Sequence, residues 1–523
     1  MLLLAVAVHA PGASAWRELW ADLRWPRPLL GIFAVVGLAP LVVLALYPPT
    51  AFDATMYHLP FARAFAESGG VPYLVDLRFP VFPQANEVLY AAVLLFGRDV
   101  AAHAVQLFAT LLTALLLGAW VRDRRDWLAA ALFLGNPIVV YLAATGYIEA
   151  GLTLFVTASL YALDRWRSGE GRGWLALAAV LGATAADVKY LGLFFLGIAG
   201  LTVLLGGPRP RPWPARLRDG LLFAVVATAF LAPWYLRNYW HTGNPIFPYL
   251  TKIFGGSVWQ SLPRPEVGEP IAQRLARWAR LPWDVIFERS RYNQEPPFSP
   301  VYLAALPLLA FGAVRDARVR RPLWIAGAYA LVFTWLPSDS RYLVPILPLA
   351  SLALADSLRD AVRRWPRLAS SRRLAAALCL GCLLPGWLYA GYRIARQGPL
   401  PVAPAAREAY LARALPLYPA IAWLNRTRGS AYTVWALRTE NMPYFADGRF
   451  RGDWVGLASF ESVLGGLKGP ADLHRRLRGL EVDHLLINKR QVGLPFPEDG
   501  ELRHWFEPVY EDGWARIYRL RAL

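Results

Sequence analysis

The feature that most limits what this chain can become is a succession of apolar runs about 20 residues long, each able to cross roughly 30 Å of hydrocarbon as a helix. They fall near 28–47, 100–121, 126–143, 147–164, 173–187, 190–206, 220–236, 299–314, 322–337, 342–358 and 374–394. With 523 residues, 56% of them hydrophobic, the chain is too long and too apolar for one soluble core. The expected architecture is an α-helical polytopic membrane protein with about eleven transmembrane helices.

Charge orients such a bundle, because cytoplasmic loops retain Lys and Arg. Loops 122–125, 165–172, 209–218, 315–321 and 359–373 hold three, three, four, four and six arginines. The short opposite loops 143–147, 187–190 and 338–341 hold only Lys189 and Arg341. The N-terminus is therefore expected inside and the C-terminus outside. A formal net charge of +18 is mostly this topology signal and argues against a nucleic-acid partner. The opening MLLLAVAVHAPGASA has small residues where a signal peptide is cleaved but no basic n-region, and Arg17, Arg24 and Arg27 fit a retained inner segment. Cys379 and Cys382, three residues apart in an apolar run, are expected to face a neighbouring helix as small hydrophobes.

That topology puts three long stretches outside: loop 48–99, loop 237–298, and everything after about 395. The unusual polar residues fall on the same side. Asp53 follows the first span, Glu149 begins the fourth in AATGYIEAGLTLF, and Lys189 lies between the fifth and sixth. Arg237 and Asn238 end the seventh in PWYLRNYWHTGNPIFPYL, and Arg341 opens the tenth in LPSDSRYLVPILP. Ionisable groups at membrane depth are costly and usually face a cavity, so five of them on one face point to a shared polar site. Lys189 is one of only four lysines against 51 arginines, and a compact ammonium suits a phosphate or carboxylate oxygen. In IAQRLARWARLPWDVIF, Ile271, Leu275, Trp278 and Trp283 form an apolar stripe interleaved with Arg274, Arg277 and Arg280, the pattern of a helix lying in the membrane interface.

Other chemistries lack their signatures. The chain has no Gly-rich phosphate loop, HExxH or GxSxG. His58 and His241 could join Asp53 and Glu149 around a divalent metal, at irregular spacings.

Taken as an ordered set, FDATMYHLPFARAF, PVFPQANEVLYAAVLLFG, the acid opening the fourth span, RNYWHTGNPIFP and RYLVPILPLASL resemble the GT-C glycosyltransferases. The likeness runs over roughly residues 28–360 and is nearest to the bacterial branch related to lipid A aminoarabinose transferases and protein O-mannosyltransferases. It implies a GT-C fold over residues 1–394 and a multi-pass protein of the bacterial inner membrane. The implied reaction moves a sugar, with inversion, from a polyprenyl-phosphate carrier to an acceptor at the outer face: a glycolipid such as lipopolysaccharide, a polysaccharide or a protein. Asp53 corresponds to the first-loop aspartate of that family and Glu149 to the acid of its second outer loop, where many members carry aspartate; a divalent metal on these two is possible. The chemistry is compatible with Asp53 as the base for an acceptor hydroxyl and with Lys189, Arg237 and Arg341 as cations for the departing phosphate. Tyr57, His58, Asn238 and His241 are the expected substrate-binding residues.

After the eleventh span the pattern changes. Residues 395–523 read as a small extracytoplasmic α/β domain: a helix near 404–425, a strand AYTVWAL, a helix around 470–479, a strand VDHLLIN and a terminal hairpin turned by Asp512-Gly513. Asn441, Tyr444 and Asp453 are polar and aromatic enough to touch an acceptor sugar. Two other functions compete with transfer: a flippase for lipid-linked sugars, which would call for midplane charges and internal repeats, and a non-catalytic scaffold of envelope assembly.

Overall fold

The computed structural model describes residues 38–120, 127–206, 212–255, 269–364, 372–454, 456–491, 493–497 and 500–522. The signal-like opening, the first part of the first span, the loop 122–125 and parts of two further arginine-bearing loops lie outside the described residues. Helix α1 (38–45) leads to a π-helical turn, Ala54–His58, which continues as α2, Leu59–Ser68. There follow α3 Ala85–Leu94, α4 Val100–Trp120, α5 Leu128–Leu134, α6 Pro137–Ala143, α7 Glu149–Arg167, α8 Arg172–Val188, α9 Gly192–Leu205 and α10 Trp213–Thr242. The bundle is completed by α11 Ile271–Phe287, α12 Leu306–Arg315, α13 Ala317–Phe333, α14 Leu347–Arg364 and α15 Arg372–Gln397.

This is a membrane protein. Among the described residues, three stretches are long and apolar enough to cross a bilayer: Val100–Trp120, Trp213–Thr242 and Ser340–Ala361. Several expected spans are shorter or divided. The 126–143 run breaks between α5 and α6 because Asn136 is extended before Pro137, whose ring forbids a continued helix there. Gly135 at the break lets α15 approach: a Cβ on it would sit 1.8 Å from the Cys382 carbonyl oxygen. Close backbone contact through small residues is how helices associate in lipid, and it seats Cys382 against α5 as the sequence implied. The seventh run, in contrast, is longer than expected. Helix α10 carries Arg237, Asn238 and His241 within its last turns and ends at Gly243, whose φ of 71° supplies the left-handed cap.

Helix α11 confirms the amphipathic pattern with the arginines divided. Ile271, Leu275, Trp278, Trp283 and Phe287 are exposed, while Leu281, Val285 and Asp284 are buried. Arg274 and Arg277 turn inward and both donate to the Thr334 carbonyl at the end of α13, at 2.6 and 2.5 Å. The exposed face is therefore largely apolar, and the buried face mixes Leu281 and Val285 with the inward arginines and Asp284.

Helices α16 Pro404–Ala414 and α17 Tyr418–Arg428 replace the single helix expected at 404–425. They precede a five-stranded sheet of β1 Thr433–Leu437, β2 Arg449–Gly452, β3 His484–Asn488, β4 Phe506–Glu511 and β5 Ala515–Leu520, in the order β2-β1-β3-β5-β4. Strand β1 pairs in parallel with β2 and β3; β5 is antiparallel to β3 and β4. Asp512 turns the β4–β5 hairpin, its Oδ1 accepting from the backbone of Trp514 and Ala515. Alternation along the strands sorts two cores. Val434, Ala436, Leu486 and Ile517 join the cluster that runs unbroken from Leu41 through the helical bundle. Trp435, Leu437, Leu485 and Ile487 pack on the other face with Leu473 and Leu477 of the helix Pro470–Gly479. Central strands buried on both faces are what parallel pairing requires.

Candidate functional site

The site begins at the π-helical turn. Its wider pitch, in which Leu59 N–H reaches back to the Ala54 carbonyl, sets Asp53, Tyr57 and His58 beside one another at the head of α2. Such turns occur often at functional sites. Every residue from Ala54 to His58 is buried, and Asp53 is 14% exposed at its side chain.

Arg341 forms the centre. It lies in the 3-10 turn Ser340–Ile346 that opens the apolar stretch running on into α14, and its guanidinium is almost buried. Its Nη2 donates to Asp53 Oδ2 at 2.6 Å and its Nε to Asp339 Oδ2 at 2.6 Å. Glu149 Oε1 stands 3.8 Å from the same Nε. Lys189 Nζ donates to Glu149 Oε1 at 2.6 Å and sits 4.2 Å above the Tyr342 ring. The Tyr147 ring flanks Arg341 at 4.5 Å. Arg341 Nη1 is buried and has no hydrogen-bond partner among the described residues. An unmade bond from a buried cation is costly, so this donor is ready for an anion.

Four of the sequence-derived residues, Asp53, Glu149, Lys189 and Arg341, thus form one ion-paired cluster, and Tyr57 and His58 border it. His58 Nδ1 lies 2.5 Å from Glu87 Oε1, with both side chains buried. Arg237, Asn238 and His241 form a second group on α10. Arg237 donates to Gln84 Oε1 at 2.9 Å and to the Pro72 carbonyl at 2.9 Å, leaving its Nε without a partner among the described residues. Asn238 donates to the Tyr190 hydroxyl at 2.8 Å, and His241 stacks on Tyr73 with ring centres 4.6 Å apart. The contacts of Arg237 and His241 clamp the end of α10 to loop 48–99, and that of Asn238 ties it to the turn between α8 and α9.

Sequence reasoning passed over Asp339, Glu87 and Glu295. Asp339 was visible two residues before Arg341. Glu295 is buried on the loop after α11, where Asn293 donates to Asp339 Oδ2 at 3.3 Å and Arg289 holds the carbonyls of Gln294 and Glu295 at 2.7 Å each. Burial pushes its carboxyl up to about 8, helped by nearby Asp339 and opposed by Arg341. Burial also raises Asp339. At Asp53 burial pushes upward, but Arg341, His58 and Lys189 together outweigh it and hold the carboxyl below its ordinary value. Asp53 is thereby held down and Glu295 held up within one connected set of charges.

A divalent ion does not fit this arrangement as it stands. Arg341 and Lys189 already occupy carboxylate oxygens of Asp53 and Glu149, and among the described residues no group of three His, Cys, Asp or Glu is placed to share an ion. Cys379 and Cys382 are free thiols. Of the residues considered for an acceptor, Asp453 is buried and accepts from Arg438 N–H, whereas Tyr444 lines a cavity of about 560 Å³ with Arg63, Arg98 and Arg407.

The helical membrane bundle with its appended sheet is a fold shared with solved membrane proteins. Among solved structures it is similar to ArnT from Cupriavidus metallidurans in the apo state, with a TM-score of 0.59 at 17% identity over 94% of this chain and 97% of that one. The same protein bound to undecaprenyl phosphate gives 0.55 at 16% identity over 94% and 97%. The Archaeoglobus fulgidus oligosaccharyltransferase in complex with Zn and sulfate gives 0.54 at 13% identity over 93% and 72%. In sequence, the undecaprenyl phosphate-alpha-4-amino-4-deoxy-L-arabinose arabinosyl transferase of Pectobacterium atrosepticum is 28% identical over 230 residues, 40% of each chain. A second such transferase, from Pseudomonas fluorescens, is 26% identical over 363 residues, 64% of this chain and 61% of its own. The matches therefore span less than two thirds of either curated relative. A family described as SF2091/S2213 matches residues 406–519, the part that carries the sheet.

Proposed function

We propose that the protein transfers a sugar from a polyprenyl-phosphate carrier to a cell-envelope acceptor at the outer face of the inner membrane, with inversion at the anomeric carbon. The observation that carries this reading is Arg341: a buried guanidinium gathered by Asp53, Asp339 and Glu149, beside Lys189, with one donor nitrogen unspent. The acceptor hydroxyl attacks the anomeric carbon from the side opposite the phosphate, the bond from that carbon to the phosphate oxygen breaks, and Asp53 takes the hydroxyl proton. The ion pair with Arg341 keeps Asp53 deprotonated and ready. The lipid phosphate that leaves gains negative charge, which Arg341 Nη1 and Lys189 stabilise in a site largely closed to water, with Arg237 further along the rim. They supply the positive charge that a divalent ion would bring. Tyr57, His58, Asn238 and His241 border the space for the sugar. The sheet-bearing part, 395–523, lies on the outer side in this reading, where it covers loop 48–99.

The test is sugar transfer in nanodiscs from a panel of polyprenyl-phosphate sugars to cell-envelope extracts. Asp53→Asn should lower transfer about 10²- to 10⁴-fold with folding unchanged. A folded wild-type protein that binds carrier lipid yet transfers from no donor would sink the proposal, and carrier flipping in vesicles would then take its place.

A further inference from the structure

The Glu87–His58 pair is unusual for its position. Glu87 is in the first turn of α3 and completely buried; among the described residues its one side-chain hydrogen bond is that at 2.5 Å with His58 Nδ1, and its Oε2 has no partner. A buried ionised group is expensive, and replacing such a pair by apolar side chains is often neutral or stabilising. Both helices already bury apolar side chains, Phe61 and Ala62 on α2 and Tyr90 and Ala91 on α3. What distinguishes the place is its neighbours. His58 closes the π-helical turn that Asp53 precedes, its ring centre is 4.2 Å from that of Tyr57, and it acts electrostatically on both Asp53 and Glu149.

A carboxylate facing an imidazole accepts, so Nδ1 carries a hydrogen in the neutral and the charged ring alike, and Nε2 is the nitrogen left for the site. Carboxylate–imidazole pairs of this form fix ring orientation and tautomer where an imidazole must meet a ligand in one pose. We infer that Glu87 is a positioning residue of the transfer site, acting through His58: it takes the Nδ1–H and thereby directs Nε2 toward the space bounded by Asp53 and Glu149, where the acceptor hydroxyl or donor sugar is bound.

The inference rests on the transfer reading above, and wild-type transfer is measured first. Glu87→Gln keeps size and helix position while weakening the acceptor. It should lower kcat about 10- to 100-fold, the range for losing such a supporting carboxylate, with KM for the donor within about twofold. His58→Ala should lose turnover and recover part of it in free imidazole; the His58→Ala/Glu87→Gln double variant should not recover, because nothing orients the added ring. A Glu87→Gln protein with wild-type kcat, or equal imidazole rescue with and without Glu87, would overturn the inference. Nitrogen-15 shifts of His58 give an answer independent of turnover. A fixed Nδ1–H tautomer in the wild type that is lost in Glu87→Gln supports the pairing, and unchanged shifts overturn it. Absence of transfer by the wild type counts against the transfer reading, and these shifts still decide the pairing.

Discussion

Glu295 makes the sharpest case for how a single side chain reports on this site. Its carboxyl sits at about 8 instead of 4.5, so between those values the unfolded chain has released a proton that the native protein still holds. Stability contributed by the protonated form is therefore complete below about 4.5 and is lost as pH rises toward 8. The groups facing it are Asp339, Glu149 and Asp53, which favour the neutral form, Arg341, which opposes it, and the Tyr141, Tyr147 and Tyr389 phenols. Glu295→Gln should flatten the fall in thermal stability between pH 5 and pH 8, an effect on the order of a few kcal/mol. Melting curves in one detergent at both pH values check this, and an unchanged slope would reassign the titration to another group. Asp53, Glu149, Lys189 and Arg341 were legible in the sequence because charges at the ends of apolar runs stand out. Glu87 and Glu295 were not, since a glutamate at a helix start or in a Pro-rich loop looks like any surface acid until the fold buries it.

At the scale of elements, helix α11 shows why pattern alone gives the type of a helix but not the duty of each residue. Its stripe marked it as interfacial, yet the spacing could not tell which arginines face lipid phosphate. The structure turns Arg274 and Arg277 inward onto the Thr334 carbonyl and leaves Arg280 about half exposed, paired with Asp284 at 3.4 Å. Arg274→Ala should cost about 1–3 kcal/mol, since it removes a charged hydrogen bond at a buried helix end. Arg280→Ala should cost less than about 1 kcal/mol. Thermal unfolding of both variants in the same lipid would check the ranking, and equal losses would contradict the assignment. Strand β2 was missed for a related reason. Arg449-Phe450-Arg451-Gly452 is too short and too charged to announce a strand, and it exists because β1 offers a parallel edge.

For the whole molecule, the question is what joins the sheet-bearing part to the bundle. The shared core running from Leu41 to Ile517 is one answer, and a set of charged clips is another. Arg407 on α16 pairs with the buried Asp99 before α4 at 2.5 Å, Arg449 reaches Asp76 at 2.7 Å, and Arg78 reaches Glu440 at 3.3 Å. Arg407→Ala would leave Asp99 buried without its cation, a loss of up to about 3–5 kcal/mol for a fully buried pair and less here, because Arg407 is partly exposed. Adding Asp99→Asn should restore most of it. Limited proteolysis after α15 measures the loosening: faster cleavage in the single variant and near wild-type cleavage in the double is the expected order, and cleavage unchanged in the single variant would show that the apolar core alone holds the two parts.

The exposed apolar face of α11 also suggests a plumb line. Its tryptophans and its isoleucine are exposed while its inward arginines grip Thr334, five residues ahead of Asp339 and seven ahead of Arg341. If that exposed stripe lies in the bilayer surface, the height of the surface would pass through the short segment 334–341 to the guanidinium at the centre of the site. In the proposed transfer, a carrier lipid in the same leaflet would be levelled by the same surface, so its phosphate and Arg341 would share a common datum.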